Sequence, residues 1–200
     1  MAEKNYKISK GTTLNHDQWI GPSIAVTCVL VTKIANELHF LTEKRGSGAP
    51  DFRGKLVFPC GFYDFADKYV RLGACRELME ETGIDIISPD DIHFAGVNDG
   101  LKTNNGNITL RYVTFVDETK ISELTKAGKI NTDSEKRGGE KKEVEKIQFV
   151  SYSWITKNRG KFAFHHDELA DEVVANFDKI MEDKYYSDSW SKEKELRENK

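Results

Sequence analysis

The chain has 200 residues, 38% hydrophobic and 32% charged, and its 30 basic and 33 acidic side chains leave a net charge of −3. This length predicts a single domain that buries its core without disulfides or a structural metal, and the near-balanced charge makes a general nucleic-acid partner unlikely. The longest apolar run, Ile24–Val31, falls far short of the roughly 20 residues that span a bilayer, no apolar stretch follows the first lysine, and three cysteines (Cys28, Cys60, Cys75) without a Cys-x-x-Cys spacing point to a reducing, cytoplasmic setting.

Residues 1–22 are polar with scattered aromatics and read as an arm; the core of the domain is expected over about 24–181. Ile24–Val31 is β-branched and reads as a buried strand. Leu38–Thr42 is a second strand, joined by a hairpin connection over 33–37. Glu43 to Lys55 carries three glycines and Pro50, the composition of a loop. Leu56–Phe58 is a short strand stopped by Pro59. A helix is predicted over 68–81, capped by Gly83, with Ala74, Cys75, Leu78 and Met79 on its buried face. Strands follow at Ile92–Val97 and Ile108–Val116, linked by a turn-rich loop over 98–107. The stretch 118–142 is dense in charge and reads as an insertion, with Ser134–Lys142 its most mobile part. Ile147–Trp154 returns to strand composition. Leu169, Val173, Phe177 and Ile180 keep helical spacing to about Met181, and 182–200 is a polar tail. The order predicts an α+β domain with helices packed on a mixed sheet.

The first helix carries Arg76-Glu-Leu-Met-Glu-Glu-Thr-Gly83. Glu77 lies three and four positions from Glu80 and Glu81, so the three carboxylates project to one side with neighbouring Cβ atoms about 5–6 Å apart. Like charges so placed weaken a helix unless positive charge meets them. An oxygen-only cluster suits a hard divalent cation, Mg²⁺ or its substitute Mn²⁺; the competing explanation is a solvated acidic face. Arg76 is placed to bond Glu80 one turn on.

Arg76, Glu77, Leu78, Glu80, Glu81, Gly83 and Ile84 match the second half of the signature of Nudix hydrolases, and the chain resembles that family from about 24 to 181. The first half is similar with departures: Gly61 and Asp67 stand for the glycine and the acid, eight residues rather than seven precede Arg76, Cys60 stands where a glycine is usual, and Ala66 where another often precedes the acid. Gly54–Pro59 and Leu41–Arg45 look like the family's approach strand and early strand. The resemblance implies an α/β/α sandwich with a mixed sheet and a catalytic loop–helix–loop. It implies a Mg²⁺-dependent pyrophosphohydrolase acting on nucleoside diphosphates linked to a moiety X. Glu77, Glu80, Glu81 and the Cys60 carbonyl would then be metal ligands, with Arg76 and Asp67 orienting them.

Further expectations rest on single residues. Glu143 is the first choice among late acidic residues over the metal, ahead of Glu140 and Glu145. Arg45 and Arg53 suit phosphate oxygens. Phe162–His166 resembles a segment of family members that cleave ADP-ribose, which makes Phe164 a candidate against the nucleotide and ADP-ribose, or a related ADP-linked metabolite, the leading substrate. The alternatives are a dinucleoside polyphosphate or a nucleotide-capped RNA 5′ end and, from another class, a non-catalytic nucleotide-sensing module.

Overall fold

A computed structural model describes residues 23–64, 66–85, 87–99, 107–130 and 143–182. The predicted arm, most of the 98–107 loop, the charged stretch Ser134–Lys142 and the polar tail lie outside these residues.

Among the described residues seven strands form one mixed sheet: β1 Ser23–Ile34, β2 Glu37–Arg45, β3 Leu56–Val57, β4 Cys60–Phe62, β5 His93–Asn98, β6 Asn107–Phe115 and β7 Val144–Ser151. The helices are α1 Val70–Thr82, α2 Glu118–Lys126, α3 Tyr152–Lys157 and α4 His166–Met181. β1 runs parallel to β6 along one edge and antiparallel to β2 and β4 along the other. The cores under α4 and α1 cover it on opposite faces, which explains the unbroken apolar run that Ile24–Val31 shows in the sequence.

Alternate residues of β1 feed two cores. Val29 and Val31 join Phe40, Phe58, Leu169 and Val173 under α4, whereas Val26, Cys28 and Leu30 join Leu41, Ala74 and Leu78 under α1. The result is an α/β/α sandwich, and the predicted helix-on-mixed-sheet architecture holds. Among the described residues no helix is long and apolar enough to cross a membrane.

Both hairpin strands are longer than predicted, because the connection shrinks to Ala35 and Asn36. Their φ angles of 47° and 68° fit the two-residue turns that match strand twist. The expected loop accordingly begins only after Arg45. The charged segment at 118 is not wholly an insertion: Glu118–Lys126 is helical, and its apolar pair Ile121 and Leu124, three apart, is buried in the α1-side core. The strand expected at Leu56–Phe58 ends at Val57. In α1 the buried stripe is Arg71, Ala74, Leu78 and Thr82. Met79, expected inside, is 44% exposed, because positions 71, 74, 78 and 82 already complete a stripe at spacings of three and four.

One feature of the sheet positions the site. β1 and β2 pair only near their hairpin, at Val31–Ile34 against Glu37–Phe40. Beyond that they diverge, and the segment Leu56–Phe62 fills the split, pairing first with β2 at Glu43 and Lys44 and then with β1 at Ala25–Thr27. The crossing, Phe58-Pro59-Cys60, passes beneath α1.

Candidate active site

Four elements converge where β1 and β2 split. The Cys28 N–H donates to the Pro59 carbonyl and the Tyr63 N–H to the Ile24 carbonyl. In an antiparallel ladder the residues between such pairs turn their polar groups the other way. The Cys60 N–H accordingly leaves β1 and donates to Glu81 Oε2 at 3.0 Å, and the Cys60 carbonyl lies on the same edge. The Phe62 carbonyl likewise accepts from Arg76 Nη2 at 2.9 Å.

Gly61 sits between them because Glu77 leaves no room for a side chain; a Cβ there would overlap the Glu77 carboxylate. The glycine is what lets Glu77 come this close; its φ angle would admit any residue. Cys60 tolerates a side chain because its contribution is backbone.

Arg76 holds the acidic face in order. Its Nε and Nη2 each bond Asp67 at 2.9 Å, and Nη1 reaches Glu77 Oε1 at 2.7 Å and Glu80 Oε2 at 3.0 Å. The i,i+4 bond to Glu80 is the one its spacing predicts. Asp67 reaches Arg76 despite the extra residue between them. Although burial pushes the Asp67 carboxyl up, its bonds from Arg76 and the Asp64 N–H hold it below the usual carboxylate range. These same bonds, Asp67 first, raise the pKa of Arg76.

The residue that sequence reasoning missed is Glu43. It is 1% exposed, its carboxyl lies within interaction range of that of Glu81, and its Oε1 has no hydrogen-bond partner. Burial above all pushes Glu43 up to about 8, against the opposing effects of the Glu81 bond and the Arg45 charge. Glu81 is raised well above the usual range by burial, then by the charges of Glu43 and Glu77. Two carboxyls in one dry site cannot both ionise without positive charge nearby. Burial, then Glu81, also raises the Cys60 thiol, which is therefore not a thiolate.

The other candidates lie around this centre. Arg45, two residues beyond Glu43 on β2, bonds Asp51 through Nη2 at 2.6 Å and the Asp51 carbonyl through Nε at 3.0 Å. Its guanidinium stands 5.3 Å from the centre of the Phe164 ring. Arg53 Nε is bonded to the Ala49 carbonyl at 2.8 Å, which ties up part of its fork within the loop. Glu143 is exposed just before β7, and its carbonyl accepts from the Gly46 N–H at 2.7 Å. Glu145 pairs with Lys44 at 2.6 Å. His166, the last residue of the Phe162–His166 segment, is buried, accepts the Phe58 N–H on Nδ1 at 2.8 Å and stacks on the Phe58 ring. It thereby ties the start of α4 to the crossing strand.

The donor set suits a hard cation on this structure's own terms: carboxylate oxygens and one backbone carbonyl, an unpartnered buried Glu43 oxygen, and repulsion that positive charge would relieve. Among the described residues no three Asp, Glu, His or Cys side chains already stand in ligating positions, since Arg76 engages Glu77 and Glu80 while Glu43 and Glu81 engage each other.

A family model, the NUDIX domain, matches residues 21–173. No curated protein matches the chain. The NUDIX domain of Shewanella oneidensis NrtR, solved with ADP ribose, is similar in fold (TM-score 0.59, 16% identity, 82% of this chain and 94% of that one). So is the same organism's NrtR with a 27mer DNA (0.54, 18%, 77% and 61%). A Francisella tularensis bifunctional NMN adenylyltransferase/ADP ribose pyrophosphatase, solved with AMP and a Mn ion, is similar over part of its length (0.55, 16%, 79% and 42%). With the NUDIX model matching well over half of its residues, and with every specified position of the arginine–glutamate half-signature filled, the chain belongs to the Nudix hydrolase family.

Proposed function

We propose that the protein hydrolyses the pyrophosphate of a nucleoside diphosphate linked to a moiety X, using Mg²⁺, with ADP-ribose or a related ADP-linked metabolite as substrate. The observation that carries this reading is the convergence of Glu77, Glu81, the buried Glu43 and the Cys60 backbone edge on one spot beneath α1. Glu77, Glu80, Glu81 and the Cys60 carbonyl would hold the cation, with Glu43 as a further acidic donor. A divalent ion there supplies charge to neutralise the pyrophosphate and to acidify the attacking water.

The chain's own residues do the rest. Arg76, fixed on Asp67, restrains Glu77 and Glu80 before substrate arrives. A site carboxylate takes the proton that water loses as its oxygen bonds phosphorus and the anhydride P–O bond breaks. The products are a nucleoside monophosphate and phosphorylated X. Glu143 is the candidate for a further acidic residue over the metal, and Arg45, Arg53 and Phe164 are candidates for substrate contact.

The neighbours in complex with ADP ribose and with AMP support a nucleotide ligand. The Shewanella protein's complex with DNA favours a second reading, a nucleotide sensor that binds without cleaving. Retention of all three helix glutamates favours the enzyme. Incubation with a panel of nucleoside diphosphate derivatives and Mg²⁺, with products identified by mass, separates the two: the enzyme yields a monophosphate, whereas a sensor returns its ligand unchanged.

A further inference from the structure

A cation on the α4 face of the sheet has no part in the site described above. Arg111 of β6 stands in register with Thr27 of β1, and Thr27 with Cys60 of β4. Residues in register share a face, so Arg111 and Cys60 lie in one row, two strand spacings or about 10 Å apart. Val113 and Val29, two residues on from Arg111 and Thr27, belong to the core under α4. The row therefore lies on the α4 face. It crosses the end of the sheet where β1 and β2 have parted and the Cys60 N–H turns to Glu81. Thr27, between the two, is short and buried and brings no charge.

Arg111 is nearly buried, with its side chain 12% exposed, yet it is held at a single point. Among the described residues its one hydrogen-bond partner is Glu172 of α4, which accepts from Nη1 at 2.6 Å. The other inward arginines are held at several points. Arg71 donates to the Pro89 and Ile92 carbonyls, Arg45 uses Nε and Nη2 on Asp51, and Arg76 uses all three nitrogens. Arg111 Nε and Nη2 make no bond to the described residues. A guanidinium offers five N–H donors in one plane, and withdrawing a charge from water without matching its donors is costly.

The partner does not share the burial. Glu172 is 56% exposed, so the pair joins an inward cation to an outward anion. An exposed carboxylate gains little from such a pair, and phosphate oxygens fit the same guanidinium fork. Room exists beside it: Gly96 of β5, opposite Arg111, carries no side chain, and a Cβ there would meet nothing within 4 Å. Arg111 also acts on the centre's surroundings, since its charge, like that of Arg45, opposes protonation of His166 at the start of α4. Positive charge thus reaches the neighbourhood of the split from β6 as well as from β2.

Resting on the hydrolase reading above for the substrate's identity, we propose that Arg111 binds a phosphoryl oxygen of the substrate's diphosphate, and that Glu172 occupies the guanidinium in the free protein and is displaced when substrate arrives. Arg111 then reads the charge of the diphosphate from the sheet, on the side away from α1. Glu172 is an internal competitor that lowers affinity, and this separates it from an ordinary ion pair by the sign of its effect.

Calorimetric titration with α,β-methylene-ADP in Mg²⁺ tests this without turnover, because the P–C–P bridge is not hydrolysed. Arg111→Gln should weaken binding about tenfold or more, the scale of one charge-assisted hydrogen bond. Glu172→Gln should tighten it by about threefold. In the double variant the gain should vanish, leaving the affinity of Arg111→Gln alone, because Glu172 acts only through Arg111. Arg111→Lys, which keeps the charge and loses the fork, reads the same weakening should the glutamine variant fail to fold. The proposal is overturned if wild type does not bind the analogue, if Glu172→Gln binds no tighter than wild type, or if the folded Arg111 variants bind as wild type does. Turnover of ADP-ribose by wild type, measured alongside, reports separately on the hydrolase. Arg111-dependent binding without turnover keeps the anion site and removes the enzyme, and turnover with Arg111-independent binding does the reverse.

Discussion

Glu43 of β2 and Glu81 of α1, 38 residues apart in the chain, hold their carboxyls against each other in the split of the sheet. Burial raises both, and the charges of Glu43 and Glu77 raise Glu81 further, so the two carboxyls do not both ionise without a cation. Glu43→Gln keeps the shape and can donate a hydrogen bond to Glu81. In chelator it should therefore stabilise the protein by about 1 kcal/mol, seen as a melting point higher by about 3 °C. The gain in melting temperature that Mg²⁺ gives wild type should shrink in the variant. A lower melting point in chelator would show that the pair is not under repulsion.

Gly61→Ala tests the close approach of Glu77. The new Cβ collides with the carboxylate, so Glu77 must swing away while the short β4 strand keeps its pairing with β1. Turnover should fall by about 10–100-fold, as when the support of a metal ligand is lost, with a modest drop in melting temperature. Unchanged turnover would mean that the position of Glu77 is immaterial.

Cys60 makes the opposite prediction. Its N–H is engaged and its thiol is protonated, so Cys60→Ala should keep turnover within about threefold, a difference under 1 kcal/mol. Inactivity of the folded variant would assign the thiol a direct role. Steady-state rates for the purified variant decide between them.

Much of this was legible in the sequence. The β-branched run gave β1, the helical spacing gave α1 and α4, and the arginine–glutamate half-signature gave the acidic face. Glu43 is not legible there, because strand composition ends at Thr42 and residues 43–55 have the composition of a loop. Had the strand been carried on, its alternation would have placed Glu43 on the face of Leu41, which packs under α1. What the sequence does not display is that β1 and β2 part there. That split depends on the crossing segment, and its pairing is non-local. Met79 escapes the prediction for a related reason: the adjacent Leu78 and Met79 of a helix cannot both face inward, and only packing selects between them.

His166 gives the fold a pH signature. Burial first, then the charges of Arg111, Arg45 and His165, lower it to about 3 from 6.5. The unfolded chain then holds the extra proton between those values. Its contribution is complete above about pH 6.5 and is lost as pH falls toward 3, by at most ~1.4 kcal/mol per pH unit. Urea unfolding should show stability declining from pH 6.5 to 5, and His166→Gln should be less stable at pH 7 but flatter over that range. Parallel pH profiles for the two proteins would contradict the assignment.

The most direct measurement is turnover of ADP-ribose, or of whichever diphosphate the substrate panel identifies, by Glu81→Gln in saturating Mg²⁺. The substitution keeps volume and hydrogen bonding and removes one charge. If Glu81 belongs to a cation centre acting on the pyrophosphate, kcat should fall on the order of 10³-fold, about 4 kcal/mol of transition-state stabilisation, while the melting point in chelator holds or rises. If Glu81→Gln and Glu77→Gln both turn over within about threefold of wild type, the acidic face is only a solvated helix surface and the account is contradicted.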